Sequence, residues 1–438
     1  MVTQDAAVRE RDGRGEERRV AKNIVRGSVG NLIEWYDWYA YTAFSVYFAA
    51  AFFPSGDQTA QLLNTAAVFA VGFLMRPIGG WVLGRYADRR GRRAALTLSV
   101  TLMAVGSLIV ALTPSYDTIG VVAPVLLVTA RLLQGISVGG EYSTSATYMS
   151  EVATPGKRGY YSSFQYVTLI AGQLTALGLQ IVLQSVLSDG QMESWGWRIA
   201  FVVGAAGAVV VLWLRRGMDE SESFEQGRAD GDRGSLRMLL SYPRQCLVVV
   251  GLTMGGTLFF YTYTTYLQKF MVNTSGIAKP TAAWINFCAL LVFVALQPLM
   301  GRLSDRVGRR PLLIGFGVLG ALVVVPSLTL LSHTDNPYYA FGLMVVPLAI
   351  SSLYTSISAV VKAELFPTAI RALGVGLPYA LTVALFGGTA EYIALWFKDI
   401  GHESWYFFYV TACVLVSLLV YIRMRETSDG SPLDERKG

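Results

Sequence analysis

Hydrophobic residues run in long blocks along this chain, and polar residues gather in short clusters between them. Twelve apolar blocks of about 20 residues are each long enough to cross a bilayer as a helix. They cover 28–53, 60–84, 94–113, 119–148, 160–187, 197–215, 245–271, 281–301, 311–331, 338–363, 372–397 and 405–423. Only one polar stretch between blocks is long, 216–244, where Arg216, Arg228, Arg233, Arg237 and Arg244 mix with acidic residues. It divides the blocks six and six. The pattern predicts an all-α membrane protein with a tail at 1–26, a six-helix bundle at 27–215, a linker at 216–244, a second bundle at 245–423 and a tail at 424–438.

Two polar clusters repeat. Gly84-Arg85-Tyr86-Ala87-Asp88-Arg89-Arg90-Gly91-Arg92-Arg93 and Gly301-Arg302-Leu303-Ser304-Asp305-Arg306-Val307-Gly308-Arg309-Arg310 both read G-R-x-x-D-R-x-G-R-R, with the second Gly 217 residues after the first (301 against 84). Glu151, Pro155 and Arg158 are echoed by Glu364, Pro367 and Arg371, with the acid and the base both offset by 213 (364 against 151, 371 against 158). Repeats at nearly one offset, in the same hydropathic setting, mark two similar halves. Each G-R-x-x-D-R-x-G-R-R motif reads as a tight charged loop between helices.

Basic residues fix the expected orientation. Arg9, Arg11, Arg14, Arg18, Arg19, Lys22 and Arg26, both motifs, the linker and Arg423, Arg425, Arg436 and Lys437 fall on one side. The opposite connections 54–59, 114–118, 188–194 and 332–337 contain no Lys or Arg, and Lys279 and Lys398 are the exceptions there. By the positive-inside rule both termini are cytoplasmic. The first 26 residues lack the apolar core of a cleaved signal peptide and read as a disordered tail.

Composition narrows the class. Of 438 residues, 53% are hydrophobic and 15% charged, against about 25% charged in soluble chains; the mean hydropathy is +0.44. The net charge of +6 sits at membrane edges and does not point to nucleic acid. Cys246, Cys288 and Cys413 lie inside apolar blocks and read as packing residues, so no disulfide or metal framework is expected. His333 and His402 are the only histidines, which leaves little for a membrane-embedded enzyme. No G-x-x-x-x-G-K-[ST] loop is present to run an ATP-driven pump, and no cofactor is expected.

Charges inside the blocks carry the candidate chemistry, since a charge at membrane depth costs about 2.5–3.5 kcal/mol. An anionic substrate would need a fixed positive charge at depth, and Arg76 suits that role best, because a guanidinium binds a carboxylate through two parallel hydrogen bonds. Lys269 and Arg198 compete as a second cation. Lys269 follows the hydroxyl-rich stretch Tyr261–Tyr266, which includes Tyr263 and can line a cavity; alternatively it snorkels to the interface. Arg198 has the alternative of an interfacial anchor. Glu391 carries a proton or orients Lys269. Gln165 and Gln173 share a helix face and either hold substrate or pack between helices.

The chain resembles the major facilitator superfamily in both G-R-x-x-D-R-x-G-R-R motifs. Within it, the chain is similar to the metabolite–proton symporter family. The residues that carry this are Gly30-Asn31-Leu32-Ile33-Glu34-Trp35-Tyr36-Asp37, Gly72-Phe73-Leu74-Met75-Arg76-Pro77-Ile78-Gly79-Gly80, Arg131-Leu132-Leu133-Gln134-Gly135, Gly139-Gly140-Glu141-Tyr142 and Trp195-Gly196-Trp197-Arg198. The resemblance implies twelve transmembrane helices in two pseudo-symmetric bundles, in a bacterial inner membrane. It implies a monomeric, proton-coupled importer of α-ketoglutarate or a related dicarboxylate, with citrate, a β-keto acid or a zwitterionic osmolyte such as proline or betaine as alternatives. It makes Asp37 and Arg131 the expected proton-coupling pair, with Glu34 and Glu141 in reserve. It also implies a latch between halves. Asp88 and Arg92 would meet Glu151, Arg158 and the start of the eleventh helix, while Asp305 and Arg309 would meet Glu364, Arg371 and the start of the fifth helix.

Overall fold

A computed structural model describes residues 32–90, 92–139, 156–215, 236–367 and 370–428. Among these, twelve helices carry the fold and no strand is present. They are α1 (32–52), α2 (Gln58–Arg90), α3 (Arg92–Leu112), α4 (Val122–Val138), α5 (Arg158–Val186), α6 (Trp197–Arg215), α7 (Pro243–Asn273), α8 (Lys279–Val307), α9 (Arg309–Ser332), α10 (Pro337–Glu364), α11 (Arg371–Asp399) and α12 (Glu403–Arg423). Their apolar side chains point outward as well as inward: Trp213, Leu247 and Leu322 are each about two-thirds exposed. In lipid that surface needs no cover, and helices suit it because they satisfy their own backbone groups.

Helix packing builds two bundles. In the first, α2 packs on α4, and α3 packs on α4 and α6; in the second, α9 packs on α10 and α12, and α7 on α11 and α12. The bundles meet through α5 against α8 and α2 against α11. Glycines set the closest approaches. A Cβ on Gly135 would lie 2.1 Å from the Gly72 carbonyl oxygen, and one on Gly139 2.1 Å from that of Arg76. Small residues let membrane helices touch backbone to backbone, and here they bring Arg76 and Arg131 to one level.

The charged motifs depart from the loop expectation. The helix α8 continues through Asp305 and Arg306 to Val307, and α9 begins at Arg309, so the turn is Gly308 alone, at φ +92°. Backbone hydrogen bonding does not stop where hydropathy does; the helix runs on into water until a residue that tolerates φ > 0 turns it. Among the described residues, three π-helical turns interrupt the ladders, at Met192–Gly196, Thr262–Tyr266 and Val383–Gly387. Such turns are frequent at functional sites, and the second and third lie just before Lys269 and Glu391.

Candidate functional site

Two guanidiniums share one indole at the centre of the first bundle. Arg76 lies 4.1 Å from the Trp38 ring centroid and 3.9 Å from that of Phe73. Arg131 lies 4.2 Å from the Trp38 centroid and 4.4 Å from that of Tyr41. Both side chains are buried. Aromatic faces offset part of the cost of burying a cation, but they accept no ordinary N–H hydrogen bond. Nε and Nη2 of each arginine accordingly have no hydrogen-bond partner.

Asp37 sits beside them, fully buried on α1. Its Oδ2 accepts from Gln134 Nε2 at 2.6 Å, and its Oδ1 accepts from the Ser107 hydroxyl. Gln134 Oε1 in turn accepts from Arg131 Nη1 at 2.8 Å. Asp37 and Arg131, the expected coupling pair, meet through one amide and not in direct contact, because Gln134 lies three residues after Arg131 on the same face of α4. Gly204 makes room for the acid, since a Cβ there would lie 2.4 Å from Asp37 Oδ1. Glu34 is buried one turn earlier on α1, and Glu141 lies outside the described residues.

Within the second bundle, Lys269 Nζ on α7 donates to Glu391 Oε1 on α11 with both side chains buried, so snorkelling is excluded in this structure. Gln173 Nε2 donates to the Thr264 carbonyl oxygen at 2.5 Å, and its Oε1 has no partner. That carbonyl belongs to the π-helical turn of α7, where the helix ladder is irregular. Gln165 is buried on α5, the helix that carries Gln173. Tyr261 packs edge-on against Phe73 at 5.2 Å, which places it by Arg76.

Two expected ligands are elsewhere. Arg198 Nη1 donates to the Ala111 and Thr113 carbonyl oxygens at 2.8 and 2.6 Å, where α3 ends, and stacks on Trp197. Its charge completes a helix C-terminus rather than joining the central cluster. Tyr263 shares a hydrogen bond of 2.6 Å with Ser327 on α9, inside the second bundle. The π-helical turn rotates successive hydroxyls to different neighbours, so only part of Tyr261–Tyr266 faces the interface.

The profile of the "Sugar (and other) transporter" family matches residues 24–239 and 214–435. The chain belongs to this family. It is 53% identical to the "Alpha-ketoglutarate permease" of Escherichia coli (strain K12), over 95% of this chain and 96% of that protein. It is 33% identical to the "Citrate-proton symporter" of Klebsiella pneumoniae, over 85% and 84%. The structure superposes on the major facilitator superfamily proton:xylose symporter XylE with a TM-score of 0.71 at 18% identity, over 94% of this chain and 97% of that one. The protein is thus a membrane transporter of the major facilitator fold and not an enzyme.

In this transporter the second motif joins the bundles. Asp305 accepts from the backbone N–H groups of Gly159 and Tyr160 at 2.8 and 2.9 Å, at the start of α5. Arg309 Nη1 donates to Asp305 at 2.8 Å, and its Nη2 lies 3.6 Å from Glu364. Arg371 Nε donates to the Ala363 and Phe366 carbonyl oxygens, both at 3.1 Å, and so caps the end of α10. Arg158 is buried nearby. Glu151 lies outside the described residues, as do the side chains of Asp88 and Arg92. At the opposite end, Lys279 pairs with Glu193 at 2.7 Å and Asn273 donates to Thr59 at 3.3 Å, again between bundles.

Sequence reasoning did not single out Trp38, Ser107 or Gln134 as site residues, and gave Tyr261 only as one end of the hydroxyl-rich stretch. Of the three, Gln134 alone left a legible trace, the three-residue spacing from Arg131 that puts both on one helix face.

Proposed function

We propose that this transporter imports α-ketoglutarate, or a closely related dicarboxylate, together with protons by alternating access. The observation that carries the reading is the pair of buried guanidiniums at Arg76 and Arg131. Each keeps two N–H-bearing nitrogens without hydrogen-bond partners while aromatic rings hold its plane. A buried donor left unmet is costly, about 1–3 kcal/mol and more for a charged group; a carboxylate arriving at each arginine removes that cost. The 53% identity to the α-ketoglutarate permease of E. coli supports a dicarboxylate of that size.

Coupling follows from charge. A carboxylate on Arg131 without a proton on Asp37 leaves two anions in one dry site. A proton on Asp37 without the anion leaves Arg131 uncompensated. Both together, or neither, are the stable occupancies, so each favours the other's binding. Gln134 is the relay through which one event is felt at the other. The motif end faces the cytoplasm in this reading, with both chain termini on that side. The halves 27–215 and 245–423 rock about the α2–α11 and α5–α8 contacts. One chain encloses the whole path, which supports a monomeric working unit.

The test is uptake of labelled α-ketoglutarate into proteoliposomes under an imposed inward proton gradient. We expect accumulation above equilibrium that a protonophore abolishes and that grows as external pH falls. Absence of α-ketoglutarate uptake, with citrate accumulated instead, overturns the substrate; uptake indifferent to pH and protonophore overturns the coupling.

A further inference from the structure

One buried cation has no part in the site described so far. Lys362 lies in the last turns of α10, wholly buried, two residues before the latch acid Glu364. Its Nζ donates to Ser358 Oγ at 2.7 Å and sits 4.1 Å from the Tyr379 ring centroid on α11. The segment carrying it, Ser358–Glu364, packs against α5 of the other bundle, and its Val360 N–H donates to Ser162 Oγ at 3.1 Å. Lys362 is therefore on the seam between the bundles, at its motif end.

Tyrosines connect it to the central site. Tyr166 on α5 packs against Phe260 of α7 at 5.4 Å. Tyr379, Tyr261 and Tyr39 all lie within electrostatic reach of it. Tyr261 lies by Arg76, and Tyr379 covers Lys362. A phenol can donate to a passing carboxylate and shields it from lipid. The series Arg76, Tyr261, Tyr166, Tyr379, Lys362 thus offers cation, hydroxyls, cation along the seam.

We propose that Lys362 is a release-side anion subsite, which takes a carboxylate of the substrate leaving Arg76 when the motif end opens. It makes affinity at the cytoplasmic face depend on a dicarboxylate. The inference rests on the carboxylate-transport reading above. An ammonium on a flexible stem suits transient capture: it is a point charge that binds without the fixed fork of a guanidinium. Opening between Ser358–Glu364 and α5 would also uncover it, so the latch and the subsite act on one short helical segment.

The test uses full-length protein in which Cys246, Cys288 and Cys413 are replaced by serine, with Lys362→Cys added. The flux of labelled α-ketoglutarate is measured in right-side-out and inside-out vesicles. The expected result is a half-saturation at the cytoplasmic face raised on the order of 10-fold or more, with the external value little changed. Aminoethyl methanethiosulfonate, which restores a primary ammonium at the cysteine, should recover the cytoplasmic value. The neutral methyl reagent should not. Equal loss at both faces, or equal recovery with the neutral reagent, assigns Lys362 to packing and overturns the subsite. If the cysteine-replaced parent and the wild type both fail to carry α-ketoglutarate from either face, the substrate reading falls, and this inference with it.

Discussion

Asp37 is held by two polar neighbours, Ser107 on α3 and Gln134 on α4, and the Arg131 cation is one amide away. An acid in direct contact with a guanidinium is held ionised; one that sees the guanidinium through Gln134 is easier to protonate when the anion arrives. Asp37→Asn removes the titration but keeps most of the hydrogen bonding. It should leave exchange of internal for external α-ketoglutarate nearly intact while cutting proton-driven accumulation by at least about 10-fold. Counterflow and gradient-driven uptake, measured on the same vesicles, separate the two. If Glu34→Gln shows this split and Asp37→Asn does not, the coupling acid is the one a turn earlier. At this scale the sequence offered the residue types but not their contacts. Lys269 could be read as interfacial until the fold put Glu391 against it, and Arg198 could be read as a ligand until the fold put the end of α3 there.

The α8–α9 corner shows what an element adds. Its aspartate caps α5 of the other bundle with two N–H bonds, a charge–dipole contact of about 1–2 kcal/mol. Asp305→Asn should weaken the closed motif end and lower uptake several-fold with normal amounts of protein in the membrane; unchanged uptake would remove the latch role. Glu426, just past α12, secures the same corner. It accepts from the Arg309 and Arg310 N–H groups at 2.9 and 3.0 Å, while Thr427 donates to Glu364 at 2.6 Å. Burial pushes the Glu426 carboxyl up, but the donors from Arg309, Arg310 and Ser428 together outweigh it and hold its pKa below the usual value. A depressed folded pKa means that this cap is fully present above the ordinary carboxylate range and is lost only as pH falls through the lowered value. Glu426 therefore keeps the corner intact at neutral pH and does not sense it. The repeated motif was plain in the sequence; that it is helix rather than loop was not, because charged turns of a helix and a charged loop have the same hydropathy.

Across the whole molecule the bundles touch at both ends, through Asp305 and α5 at one and through Thr59–Asn273 and Glu193–Lys279 at the other. Alternating access requires these contacts to part in turn. With Thr59→Cys and Asn273→Cys in the cysteine-replaced background, a short cleavable thiol cross-linker should bring uptake near background, and reductant should restore it. Full uptake with the cross-link in place would show that this seam need not open.

The number of helices, the internal repeat and the membrane setting were legible along the chain alone. Those follow from block length, hydropathy and spacing, which are local and additive along the chain. Motifs carried the family for the same reason. Tertiary structure decided which charges meet. Arg76 and Arg131 share Trp38 because glycines on α2 and α4 let two backbones touch. Lys269 meets Glu391 because α7 and α11 approach beyond their π-helical turns. Lys362 belongs to the interior because the end of α10 packs on α5. Partner choice inside a bundle depends on rotation and close approach of helices far apart in sequence, and no local pattern encodes either.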